Sequence, residues 1–226
     1  MTKLNWRSCA APITGLMILS ACGGSSSNTS QFESFAERTL AVQEDAEAVV
    51  ALPGTAFSAV PTSGSAIFSG TAAIFIDPVF EEDSDDILLL GDAELTANFS
   101  AGTMTGDITN IDGITDIDET SGDIVNVSGD IQIGENLSII GDDFDDNLTD
   151  RPNAWVADYA GDLSINGDDY DVEGLLEGRF AGTRTNPTNG QSPIRAITAV
   201  DEDGFAVVNG ALEEVPVSIE LIGENG

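Results

Sequence analysis

From Ser63 onward the chain is written in period two. Ala66, Phe68, Gly70, Ala72, Ile74 and Ile76 share one face, with Ile67, Ser69, Thr71, Ala73 and Phe75 on the other. Ala93, Leu95, Ala97 and Phe99 alternate with Asp92, Glu94, Thr96, Asn98 and Ser100. A strand with one apolar and one polar face must lay the apolar face on a core, and successive residues point to opposite sides of a sheet. The pattern returns in 103–111 (Met104, Gly106, Ile108), 124–133 (Val125, Val127, Gly129, Ile131, Ile133), 137–140, 154–165 (Trp155, Ala157, Tyr159, Gly161, Leu163, Ile165) and 170–180 (Tyr170, Val172, Gly174, Leu176, Gly178, Phe180). Breaks fall at hairpin intervals, and no helical period intervenes. The segments therefore pair antiparallel, as a barrel or a sandwich. Glycine recurs inside them, at 70, 106, 129, 161, 174 and 178. Interior glycine weakens a flat strand and marks sharp coiling or close backbone approach, which a small closed sheet needs. The expectation is all-β: an eight-stranded antiparallel up-and-down barrel over 60–226, filled by Phe, Leu, Ile and Tyr.

Punctuation sets the connections. Asn166-Gly167-Asp168 is a hairpin signal. Gly134-Glu135-Asn136 reads as a turn into Leu137–Ile140, and Asp112–Gly122 as an irregular acidic stretch. Asp201-Glu202-Asp203-Gly204 reads as the turn of a last hairpin joining 194–200 to 205–212. Pro216 then favours an edge position for a short strand over 215–222.

Upstream the texture differs. Phe32, Phe35, Ala36, Leu40, Val42, Ala46, Val49 and Val50 recur at helical spacing, and Ser30 with Glu33 forms a capping-box pattern. This predicts a short helical lead-in over 31–53, ended by Pro53-Gly54. Residues 22–30 include Gly-Gly-Ser-Ser-Ser, the composition of a flexible tether. Before them stand Lys3 and Arg7, an apolar run and then Leu19-Ser20-Ala21-Cys22. Charge, short apolar core and small residues in that order read as a secretory signal over 1–21. Leu-Ser-Ala-Cys resembles the bacterial lipobox, which implies acylation of Cys22 and a membrane anchor at the new N-terminus. Gly23 stands where Asp would hold a lipoprotein at the inner membrane, so the resemblance implies the outer membrane, on its periplasmic face or at the cell surface.

Removing 1–21 from 226 residues leaves 205 with one cysteine, Cys22, so no intrachain disulfide is available and the fold must rest on its core. All 40 Asp and Glu follow Cys22, and losing Lys3 and Arg7 takes the formal charge from −33 to −35. Such a field repels nucleic acid and anionic head groups and draws divalent cations and basic proteins.

Three segments resemble a known family. Gly64–Ala72 (GSAIFSGTA) is similar to the opening barrel strand of transferrin-binding-protein-like surface lipoproteins, Asp92–Gly106 to their next hairpin, and Gly174–Gly182 (GLLEGRFAG) to their Gly-x-x-x-Gly-x-Phe-x-Gly strand. The likeness covers roughly 60–212 and implies an eight-stranded barrel on the outer-membrane surface. It implies no transferrin binding, because those receptors carry two lobes with handle domains and this chain has room for one barrel. The family's aromatic-Gly-Pro run after Phe180 and its later Gly-Gly are replaced here by Ala181-Gly182-Thr183 and Ala199-Val200-Asp201.

Chemistry is sparse. The processed chain has no His and no Lys, its one Cys is expected to carry lipid, and no Ser sits in a Gly-x-Ser-x-Gly elbow, so no activated nucleophile is visible and no enzyme activity or cofactor is expected. Asp142, Asp143, Asp145, Asp146 and Asp150 form one candidate oxygen cluster for Ca2+, and Asp168, Asp169 and Asp171 a second; a solvated acidic loop is the competing reading of both. Trp155, Tyr159, Tyr170 and Phe180 read as core. The expected function is a lipid-anchored outer-membrane binding protein that holds a protein or small-solute ligand on loops and outer strand faces. The alternatives are a structural envelope lipoprotein stabilised by Ca2+ and an interior-cavity carrier of an apolar ligand.

Overall fold

A computed structural model describes residues 27–77, 86–115, 122–141, 153–185, 187, 191–211 and 214–226, with the side chains of 27–30 excluded. The signal segment and Cys22 lie outside the described residues, as does the Asp142–Asp150 cluster. The elements are α1 (Ser27–Val50), a 3-10 turn (Phe57–Ala59), β1 (Ser65–Ile76), β2 (Ile87–Asn98), β3 (Thr103–Thr115), β4 (Asp123–Val125), β5 (Val127–Ser128), β6 (Ile131–Ile140), β7 (Ala154–Ile165), β8 (Asp168–Thr183), β9 (Ile194–Val208) and β10 (Glu214–Glu224).

All pairing is antiparallel and the sheet closes: β2 pairs with β1 and β3, β1 with β10, and the ring continues through β9, β8, β7 and β6 back to β3. β4, β5 and β6 act as one interrupted strand. β4 pairs with β3 at Gly113↔Val125, β5 with β7 at Val127↔Ile165, and β6 lies between the same two neighbours. The result is an eight-stranded up-and-down barrel, as the alternation predicts.

The inward parity fills the barrel. Phe68, Ile74, Leu95, Met104, Ile108, Trp155, Tyr159, Leu176 and Phe180 are buried in a single cluster inside the ring. Rings and glycines are matched across strands. Trp155 pairs with Gly178 and Tyr159 with Gly174. A Cβ on Gly178 would collide with the Trp155 indole, and one on Gly174 with the Tyr159 phenol. The two large rings on β7 thus lie over the two bare positions of β8, an arrangement that supports glycine in a coiled sheet. Phe180 also packs against Phe68 and Phe99, with ring centroids 6.2 and 5.7 Å apart.

Five expectations are corrected. α1 begins at Ser27, inside the stretch expected as tether, so Ser30 lies within the helix rather than capping it. β3 continues to Thr115 through the start of the stretch expected to be irregular, because Ile111 and Ile114 still find partners: Ile111 in the core, Ile114 on the outer wall. Gly134-Glu135-Asn136 is a bulge within β6, not a turn; the chain holds its direction while the register with β7 shifts between Ile133 and Ser138. Asp201–Gly204 is likewise no turn, since β9 runs unbroken from Ile194 to Val208. The last hairpin instead turns at Asn209-Gly210, both at positive φ, and delivers β10 as a full member of the ring. Pro216 stands at the end of the β1–β10 ladder, one residue beyond the Ile76↔Val217 pair, and its carbonyl accepts from the Asp77 N–H at 3.1 Å.

α1 lies on the outside. Phe35, with Phe32 beside it, packs on Leu88, Leu90 and Ile114 of β2 and β3, while Val49 packs on Ala181 and Ala196 of β8 and β9. Those stations sit at opposite ends of the barrel, which the roughly 36 Å length of a 24-residue helix can span. After α1, Pro53–Thr55 pairs with Phe180–Gly182. Val60 then joins the core at that end.

Candidate functional site

Large rings are buried inside the barrel, and polar side chains stand on its outer wall. There the structure has a cavity of about 430 Å3, a groove over β5, β7, β8 and β9. Strand alternation builds it. Asp162 stands opposite Asp171 across the β7–β8 ladder, and Ser164 opposite Asp169. Ser128 faces Ser164 from β5, and Val207 faces Asp171 from β9. The floor is the sheet itself, with Leu163 and Tyr170 buried beneath it. Carboxylates directly opposite on neighbouring strands repel, an arrangement that a cation in the groove would relieve.

The neighbouring hairpins fix this wall. The Asp169 N–H donates to Asn209 Oδ1 at 2.9 Å, and Asn209 Nδ2 donates to Asp168 Oδ1 at 3.0 Å. The Asn126 N–H donates to Asn166 Oδ1 at 3.0 Å. Burial, and then the charge of Asp168, pushes the Tyr170 hydroxyl above its ordinary pKa.

Of the sequence-predicted Asp168, Asp169 and Asp171 cluster, the last two line the groove and Asp168 is engaged by Asn209. The three do not close into a cation cage: among the described residues no group of three or more His, Cys, Asp or Glu is placed to hold a metal ion. The reason is the pleat, which separates outward carboxylates along and across strands. Asp162 was missed as a partner of this cluster. Its signal was present, since Asp162 and Asp171 lie symmetrically about the Asn166-Gly167 turn, and that symmetry makes them cross-strand neighbours.

A second polar arrangement lies inside the wall. The Tyr159 hydroxyl donates to Asp201 Oδ2 at 2.8 Å, and the Leu175 N–H donates to the same oxygen at 3.0 Å. The Asp203 N–H donates to Asp201 Oδ1 at 3.0 Å. Asp201 is 7% exposed, and the carboxylate joins β7, β8 and β9 where the β8–β9 register shifts between Glu173 and Glu177. Burial, then the Asp201 charge and its hydrogen bond, drives the Tyr159 hydroxyl far above its ordinary range. With its hydrogen bonds made to backbone and to the buried Tyr159, Asp201 braces a bulge. Trp155, Tyr159, Tyr170 and Phe180 are core, as their parity predicts.

No family model, curated protein or solved structure matches the chain.

Proposed function

We propose that this chain is a lipid-anchored outer-membrane binding protein whose barrel is a scaffold and whose outer wall holds a cationic ligand: a basic protein segment or a cationic solute. The observation that carries the reading is the groove of Asp162, Asp169 and Asp171 with Ser128 and Ser164, set on paired strands of a barrel packed with side chains. Spread carboxylates suit an extended ligand carrying several positive groups better than one chelated ion. The chain's strong negative field would speed the encounter. Acylation of Cys22 supplies the anchor in this reading, and the likeness to transferrin-binding-protein-like lipoproteins supports an outer-membrane address. No step of catalysis is assigned.

Two experiments test it. Incorporation of labelled palmitate into the chain and its loss in Cys22→Ser report on the anchor; no incorporation removes it. Titration of the processed chain with an oligo-lysine peptide, against a neutral peptide of equal length, reports on the groove. Asp162→Asn/Asp171→Asn is expected to weaken oligo-lysine binding about tenfold. Unchanged affinity overturns the site and favours the structural envelope reading.

A further inference from the structure

The geometry points to α1 as a strap whose seating on the barrel is set by ionic strength. Its inner stripe buries Phe35, Ala36 and Val49 together with Thr39, whose hydroxyl donates to the Phe35 carbonyl. Its carboxylates, Glu33, Glu37, Glu44, Asp45 and Glu47, are all exposed. With Arg38 the helix carries a net charge of −4, which leaves −31 of the processed chain's −35 on the rest. The strap and the rest of the chain therefore carry net charge of the same sign.

Among the described residues the strap is held at its two ends and by one cation between them, with Ala36 and Thr39 buried along its length. Phe32 and Phe35 pack on Leu88, Leu90 and Ile114 at one end, and Val49 and Leu52 on Ala181 and Ala196 at the other. Between them Arg38 Nη2 reaches Asp92 at 2.9 Å and Nη1 reaches Asp112 at 2.5 Å. Both carboxylates are more than half exposed, so each pair is a weak surface contact. The opposing repulsion is long-ranged. At about 10 mM salt the Debye length, near 30 Å, lets the helix feel the entire barrel; at about 500 mM it is only a few Å. Salt weakens the two local pairs and the many distant repulsions together. The repulsions are more numerous and farther apart, so they lose more. Raising ionic strength seats the strap. Lowering it lifts the strap and uncovers the apolar strip of Leu88, Leu90, Ile114 and Ala73.

Hydrogen exchange of the processed chain tests this, because a 24-residue helix without its docking surface is marginal in water and its amides exchange. Protection of the amides over Phe32–Val50 is expected to fall about tenfold from about 500 to 10 mM NaCl, while β7 and β8 hold theirs. In Glu33→Gln/Glu37→Gln/Glu44→Gln, which removes charge from the exposed face and leaves every docking contact in place, the salt dependence is expected to shrink to near nothing. Equal protection of α1 at both salts, a parallel change in β8, or an undiminished salt dependence in the triple variant overturns the strap.

Discussion

Two stretches of one closed sheet are held in opposite ways. Along β7–β8 every residue from Ala154↔Arg179 to Ile165↔Asp168 is paired without a shift. Across the ring, β3 pairs with β6 only at Gly106, Asp107 and Ile108. Around that short ladder a side chain substitutes for backbone: the Met104 N–H donates to Ser138 Oγ at 2.6 Å, and the Ser138 hydroxyl donates back to the Met104 carbonyl. The seam contains glycines in left-handed conformation, Gly129 at φ +110° and Gly134 at φ +77°. The wall contains rings over glycines. Closure demands that coiling be absorbed somewhere. The wall absorbs it by leaving out side chains where Trp155 and Tyr159 must lie, and the seam by adding residues to one strand.

The difference can be broken first on the wall. Trp155→Ala deletes a fully buried ring above Gly178 and is expected to cost about 4 kcal/mol in urea unfolding. A loss below about 1 kcal/mol would mean that the wall relaxes as readily as the seam. At the seam, Gly134→Ala puts a Cβ against the Met104 carbonyl at a positive φ, with an expected loss of about 2 kcal/mol. Hydrogen exchange should show faster exchange confined to β3 and β6.

Tyr159→Phe removes one of three donors to Asp201, with an expected cost of about 1.5 kcal/mol. The phenol's pKa is raised in the folded state, so the folded chain keeps a proton that the unfolded chain releases near pH 10. Its contribution is complete below that pH and is lost progressively as pH rises beyond it toward the raised folded value. Alkaline destabilisation measured by urea midpoints should therefore be smaller in Tyr159→Phe than in the parent. An equal slope would move the titrating group elsewhere.

The smallest effect sharpens the seam. Ser138→Ala removes the bonds to Met104 and is expected to cost about 1 kcal/mol, with faster exchange at the Met104 amide and none at Leu176.

Where alternation ran uninterrupted, the sequence sufficed: β1, β2, β7 and β8 lie within a few residues of their expected bounds, and the inward parity of Phe68, Leu95, Trp155 and Phe180 names the core. The misreadings share a cause. Gly134-Glu135-Asn136 and Asp201–Gly204 have turn composition but serve as bulges, and composition cannot separate a reversal from an inserted residue. Parity could have helped at Asp201, which follows Ile197 and Ala199 on the inward side. The outer groove was half visible. Asp169 and Asp171 were marked, but their count suggested chelation, whereas the pleat spreads them into a row facing Asp162.

The pairing of β1 with β10, from Ser69↔Glu224 to Ile76↔Val217, joins the first strand of the ring to the last. A ribosome that delivers Ser65 must add some 150 residues before that strand's second neighbour exists. Until then β1 and β9 present bare amides and carbonyls to whatever else is near. Order along the chain thus leaves two open margins until the youngest strand seals the circle.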